Sequence, residues 1–121
     1  MKVLIIDDED DIRRIARLGL GRVGGMEVVD AANGLEGVKK AEQERPDAIL
    51  LDVMMPVLDG PSTLAALRAN PATAKISVVF LTAKAMPAEV QRLKDLGATA
   101  VLIKPFDAMT LAAQLRAALG A

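Results

Sequence analysis

Four short apolar runs, each ending on a residue able to do chemistry, constrain this 121-residue chain more than any other feature. Val3-Leu4-Ile5-Ile6 ends at Asp7 and Asp8, and Ala48-Ile49-Leu50-Leu51 ends at Asp52. The run from Ile76 to Leu81, interrupted by Ser77, ends at Thr82, and Val101-Leu102-Ile103 ends at Lys104. Apolar runs of this length without alternation suit strands buried on both faces of a parallel sheet. A fifth segment, Met26-Glu27-Val28-Val29-Asp30, alternates more and suits an edge strand.

Helical patterns fill the intervals. Ile12, Ile15 and Gly19 fall on one helical face, with Leu18 and Val23 nearby. Asn33-Gly34-Leu35-Glu36 reads as a capping box, with Asn33 as N-cap and Glu36 reaching back. Pro61 sits near a helix start, where its missing N–H costs little, and Leu64 and Leu67 follow at helical spacing. Pro87 opens another helix carrying Val90, Leu93 and Leu96, and Gly97 suits its left-handed terminus. Asp107 is expected to cap the last helix, whose Leu111, Leu115 and Leu119 form a core stripe. Met54-Met55 is expected to pack inward. The series is (βα)₅: an α/β fold with a doubly wound parallel sheet and helices on both faces. Residues 1–121 read as one unit without linker or repeat.

In an open α/β sheet, ligands bind beyond the carboxyl ends of the strands, where strand order reverses. In the order 2-1-3-4-5 that point lies between strands one and three, so Asp7, Asp8 and Asp52 share one crevice. Thr82 and Lys104 enter it from the next two strands. Three close carboxylates repel one another, and a divalent cation removes the conflict. All-oxygen ligation suits Mg²⁺. Asp52, kept ionised, is then a nucleophile able to form an acyl phosphate. Lys104 and Thr82 would stabilise the transferring phosphoryl oxygens.

What the chain lacks narrows the chemistry further. It has no histidine, which excludes His acid–base catalysis, and no cysteine, which excludes thiolate nucleophiles and disulfides. The net charge is −1 with no basic block, so nothing supplies direct nucleic-acid binding. The N-terminal apolar run is too short for a signal peptide or a membrane span, and a cytoplasmic location is expected.

At these residues the sequence resembles the receiver domains of two-component response regulators, which have a flavodoxin-like fold. The resemblance rests on Val-Leu-Ile-Ile-Asp-Asp (3–8), Leu-Leu-Asp-Val-Met-Met-Pro with Asp59-Gly60 after it (50–60), Leu-Thr-Ala (81–83) and Lys-Pro-Phe (104–106). It implies the strand order 2-1-3-4-5 and Asp52 as the phosphoacceptor. It implies Mg²⁺ held by Asp8 and Asp52 directly, by the Met54 backbone carbonyl, and by Asp7 mainly through water. Thr82 becomes the hydroxyl that turns toward the phosphoryl group. Lys104 becomes the phosphate-pairing lysine, followed by a cis bond to Pro105. The implied partners are a sensor histidine kinase or phosphotransfer protein and an unidentified downstream protein. The signalling face is the fourth helix, fifth strand and fifth helix, in a monomer or a phosphorylation-dependent dimer. The implied role is signalling, not enzymatic turnover. One position departs from the family pattern: Val101 stands where an aromatic ring is common.

Three other readings compete. A haloacid-dehalogenase-type phosphatase would need Asp-x-Asp-Gly-Thr after the first strand, and the chain reads Asp8-Glu9-Asp10-Asp11-Ile12. A flavodoxin-like binding module would need a Gly- or hydroxyl-rich phosphate loop where acids stand. A degenerate receiver serving only as an interaction surface is countered by the intact acids, threonine and lysine.

Overall fold

The computed structural model describes residues 1–84 and 86–120. Five strands form one parallel sheet in the order β2-β1-β3-β4-β5: β1 (Lys2–Ile6), β2 (Glu27–Ala31), β3 (Ala48–Asp52), β4 (Ser77–Thr82) and β5 (Ala100–Ile103). The helices are α1 (Asp10–Ala16), α2 (Gly34–Glu44), α3 (Gly60–Ala69), α4 (Pro87–Asp95) and α5 (Leu111–Ala118). The expected flavodoxin-like architecture is therefore observed.

Alternate side chains along each central strand enter opposite faces of the sheet. Leu4, Ile6, Ile49, Leu51, Val78 and Phe80 build one core with Leu64, Leu67 and Leu93 from α3 and α4. Val3, Ile5, Leu50, Val79 and Leu81 build the other with Leu20, Leu111 and Leu115. Truncating a fully buried leucine such as Leu50 to alanine costs about 2–5 kcal/mol, which is why unbroken apolar runs specify these strands. β5 behaves differently. Its run is as apolar as that of β3, yet it is the sheet's second edge and Ile103 is 39 % exposed.

The helix starts follow local chemistry. Asn33 caps α2, its Oδ1 accepting the Glu36 N–H at 2.9 Å. Glu36 does reach back, but to the Ala32 N–H at 3.1 Å. Asp59 caps α3 by accepting the Ser62 N–H at 2.8 Å. Pro87 opens α4, and Gly97 follows it at φ +109°, the left-handed conformation that glycine adopts without a Cβ penalty.

Three expectations need correction. Asp107 caps a turn rather than α5: its carboxylate accepts the Met109 N–H at 2.7 Å, and the helix begins after Thr110. The competing local turn absorbs the aspartate, a known preference of short polar side chains. Met55 is buried as expected, but Met54 is 73 % exposed. Finally, α1 runs directly into a π-helical segment, Arg17–Val23. Its inward positions are Ala16, Gly19 and Leu20, while Ile15, Leu18 and Val23 are exposed and Ile12 is half-buried. A Cβ on Gly19 would lie 2.6 Å from the Ala108 carbonyl oxygen, so the small-residue face must be the one that meets the loop before α5.

Among the described residues no helix is long and apolar enough to cross a membrane.

Candidate functional site

Register alone brings the polar strand ends together. β1 and β3 pair with Ile6 opposite Leu51, which puts Asp7 level with Asp52. β3 and β4 pair with Asp52 opposite Leu81, and β4 and β5 with Thr82 opposite Ile103. The Lys104 N–H then donates to the Thr82 carbonyl at 2.8 Å, extending the last ladder by one residue. Asp52 and Thr82 are the last residues of β3 and β4, and Asp7 and Lys104 directly follow β1 and β5, so the sheet's rigidity fixes these groups.

Asp7 is fully buried and Asp52 is 5 % exposed, whereas Asp8 is exposed. Each of the three offers a carboxylate oxygen, and these oxygens lie within 4.8 Å of one another. The Lys104 ammonium stands 2.9 Å from Asp7 Oδ2 and 3.2 Å from Asp52 Oδ1. Asp7 Oδ1 accepts the Glu9 N–H at 2.9 Å. The Thr82 hydroxyl, 5 % exposed with its residue, accepts the Lys84 N–H at 3.1 Å, which leaves its own proton for another acceptor. Asp52, Thr82 and Lys104 line one cleft of about 190 Å³, with Met54 and Lys84 at its mouth. A larger groove of about 650 Å³ beside it, lined by Met54, Pro56, Asp59, Pro61 and Arg92, contains no such carboxylate cluster. The chemistry therefore lies in the smaller cleft.

The electrostatics follow from burial. Removal from water, and then the charge of Asp7, push the Asp52 carboxyl up to about 6, against a smaller opposing pull from Lys104. For Lys104, burial alone would disfavour the ammonium. Its contacts with Asp7 and then Asp52 outweigh burial and hold the pKa above the ordinary lysine value. Two buried acids thus share one cation and remain short of positive charge.

The residues fit a hard divalent cation. The donors are all oxygens, and Asp7 Oδ2 is buried with only an ion-pair contact and no hydrogen bond. Asp52 closes the β3–β4 ladder opposite Leu81, and the next residue, Val53, donates its N–H to the Leu81 carbonyl at 3.0 Å.

Two supporting residues escaped the reading of the sequence. Gly60 packs against the end of β3: a Cβ there would lie 2.5 Å from the Asp52 carbonyl oxygen and 2.8 Å from Val53 Cα. Its only sequence signal was its place after Asp59. Arg13 donates from its guanidinium to the Asp7 carbonyl at 2.7 Å, although the sequence marks it only as a charge on a helix. Val101, at the family's usual aromatic position, packs against the core that contains Phe80. The Lys104–Pro105 bond is cis, as the resemblance implied.

The chain is similar to known proteins along nearly its whole length. The transcriptional regulatory protein PrrA of Mycobacterium tuberculosis is 39% identical over 98% of the chain. The chain spans about half of that relative, 49% of its length. The probable chemotaxis protein CheY of Rhizobium etli is 36% identical over 100% of the chain and 94% of its own length. The chemotaxis response regulator CheY4 of Vibrio cholerae superposes with a TM-score of 0.89 at 37% identity, over 97% of each chain. The response regulator receiver domain family matches residues 3–116, and the chain belongs to that family.

Proposed function

We propose that residues 1–121 act as one phosphoacceptor unit of a two-component or phosphorelay system, with Asp52 as the acceptor. The observation that carries this reading is the clustering of three carboxylates around Asp52, two of them paired with the Lys104 ammonium, beside a cleft that Asp52, Thr82 and Lys104 line. Asp7, Asp8, Asp52 and the Met54 backbone carbonyl would hold Mg²⁺. When bound, Mg²⁺ offsets the carboxylate repulsion and the charge on the phosphoryl oxygens.

The donor is a phosphohistidine on a sensor histidine kinase or phosphotransfer protein. An ionised Asp52 oxygen attacks phosphorus, an O–P bond forms, and the P–N bond breaks. The bonding pair leaves with the imidazole, which regains neutrality as its nitrogen picks up a proton from solvent. Lys104 exchanges a carboxylate contact for a phosphoryl oxygen, and Thr82 donates its hydroxyl proton to another. As Thr82 turns, the Lys84 N–H loses its acceptor. That transmits the new charge to the α4-β5-α5 surface, where a downstream protein binds. The chain is thus a signalling component, assisting only its own phosphorylation and dephosphorylation. It works in the cytoplasm, without direct nucleic-acid or membrane contact, as a monomer or a phosphorylation-dependent dimer.

Phosphoramidate, a small donor with a P–N bond, tests the transfer step. The expected result is Mg²⁺-dependent phosphate incorporation that hydroxylamine removes, as an acyl phosphate requires. Incorporation that resists hydroxylamine, or that persists in Asp52→Asn, would place the phosphate elsewhere.

A further inference from the structure

Arg13 lies outside the cleft yet holds its backbone. From α1 its Nη1 donates to the Asp7 carbonyl oxygen at 2.7 Å, its Nη2 pairs with Asp10, and its Nε stands 3.9 Å from Asp30 on β2. Its side chain is 16% exposed, against 78% for Arg14 beside it. Arg14 is a solvated helix charge, whereas Arg13 is folded inward across the β1–α1 turn. Asp7 is consequently fixed at three points: Oδ1 by the Glu9 N–H, Oδ2 by Lys104, and its carbonyl by Arg13. Asp8 has no side-chain hydrogen bond or ion pair among the described residues, and its position depends on the backbone that Asp7 anchors.

Resting on the reading that the three carboxylates hold Mg²⁺, we propose that Arg13 is a positioning residue for that site. It sets cation affinity by fixing the Asp7–Asp8 backbone. Mg²⁺ demands near-ideal octahedral geometry, so small displacements of its ligands weaken binding. Outer contacts that orient ligands typically change metal affinity by about 10–100-fold when removed. Without the guanidinium, the Asp7 carbonyl loses the only side-chain donor it has among the described residues, and the turn carrying Asp8 is released.

The sign of the effect separates positioning from simple charge. As a bare cation near an acidic site, Arg13 would repel Mg²⁺, and removing it would tighten binding. As a positioning residue, it strengthens binding, and removing it weakens binding. Arg17 supplies the control. It donates to Asp30 Oδ2 at 3.0 Å and to the Val28 carbonyl at 3.2 Å, and it shares the Asp30 network without bonding Asp7.

The test is isothermal titration with Mg²⁺ of the wild type, Arg13→Met, Arg13→Lys, Arg17→Met and Asp8→Asn, each checked for folding by circular dichroism. Arg13→Met is expected to bind roughly tenfold more weakly, while Arg17→Met stays within about twofold of wild type. Arg13→Lys keeps the charge but loses the fork, and should recover part of the affinity. Unchanged or tighter binding in Arg13→Met overturns the proposal. If that variant does not fold, Arg13→Lys decides: weaker binding supports positioning, and wild-type affinity overturns it. A wild type that takes up no Mg²⁺, or an Asp8→Asn variant with wild-type affinity, would instead sink the metal-site reading and this inference with it.

Discussion

Asp52→Asn should make the metal-free protein more stable at neutral pH, although it removes the residue at the centre of the site. The Asp52 carboxyl is pushed from its ordinary 3.8 up to about 6 by burial and by Asp7. Between those values the folded state binds more protons than the unfolded chain, so folding stability falls as pH rises through that window. Above it, the ionised carboxylate carries its full unfavourable cost. A shift of roughly two units corresponds to about 3 kcal/mol, and access of water through the cleft and sharing of charge with Asp7 reduce this to about 1–2 kcal/mol. Asparagine is nearly isosteric and uncharged, so it removes the cost. The chain has no Trp or Tyr, so urea unfolding is followed by far-UV circular dichroism. With EDTA present, the stability gain of Asp52→Asn should be near zero below pH 4 and reach its full value above pH 6. Millimolar Mg²⁺ should then narrow or reverse the gap, because it stabilises the state that binds it. A mutant no more stable than wild type at pH 7 without metal would refute the reasoning, as would a gain independent of pH.

Gly60→Ala should destabilise the protein by about 1–3 kcal/mol, because the new Cβ overpacks against the Asp52 carbonyl. Thermal unfolding would measure this, and phosphate uptake should fall with it because the β3–α3 loop must shift. Lys104→Ala strips the cation from buried Asp7 and Asp52, so it should lower metal-free stability at neutral pH while the three carboxylates still take up Mg²⁺. The same variant should accept phosphate without the change in α4 amide exchange that wild type shows. A full exchange response would break the proposed link from Lys104 to α4.

The central strands were legible because burial on both faces leaves an unbroken apolar signature, as in Ala48-Ile49-Leu50-Leu51. The site was legible because a parallel sheet gathers its strand ends at one edge. That rule turns four modest polar endings into one constellation. Features set by contacts distant in sequence were not legible. Periodicity put Ile12, Ile15 and Gly19 on one face of the first helix, whereas the buried face is Ala16, Gly19 and Leu20, with Gly19 against the Ala108 carbonyl. β5 reads like a central strand because sequence records hydrophobicity, whereas its exposure comes from its position at the sheet edge. Gly60 and Arg13 act on the backbone of the acids, and backbone contacts leave no pattern in a single sequence. Asp107 shows the opposite failure: an acid near a helix start resembled a cap but satisfied a local turn first.

The most direct test of the account is the intact mass of the protein after incubation with acetyl phosphate, with and without Mg²⁺, beside Asp52→Asn. The account predicts a gain of one phosphoryl group that requires both Mg²⁺ and Asp52. No gain under any condition would contradict it, leaving a receiver fold that serves as an interaction surface.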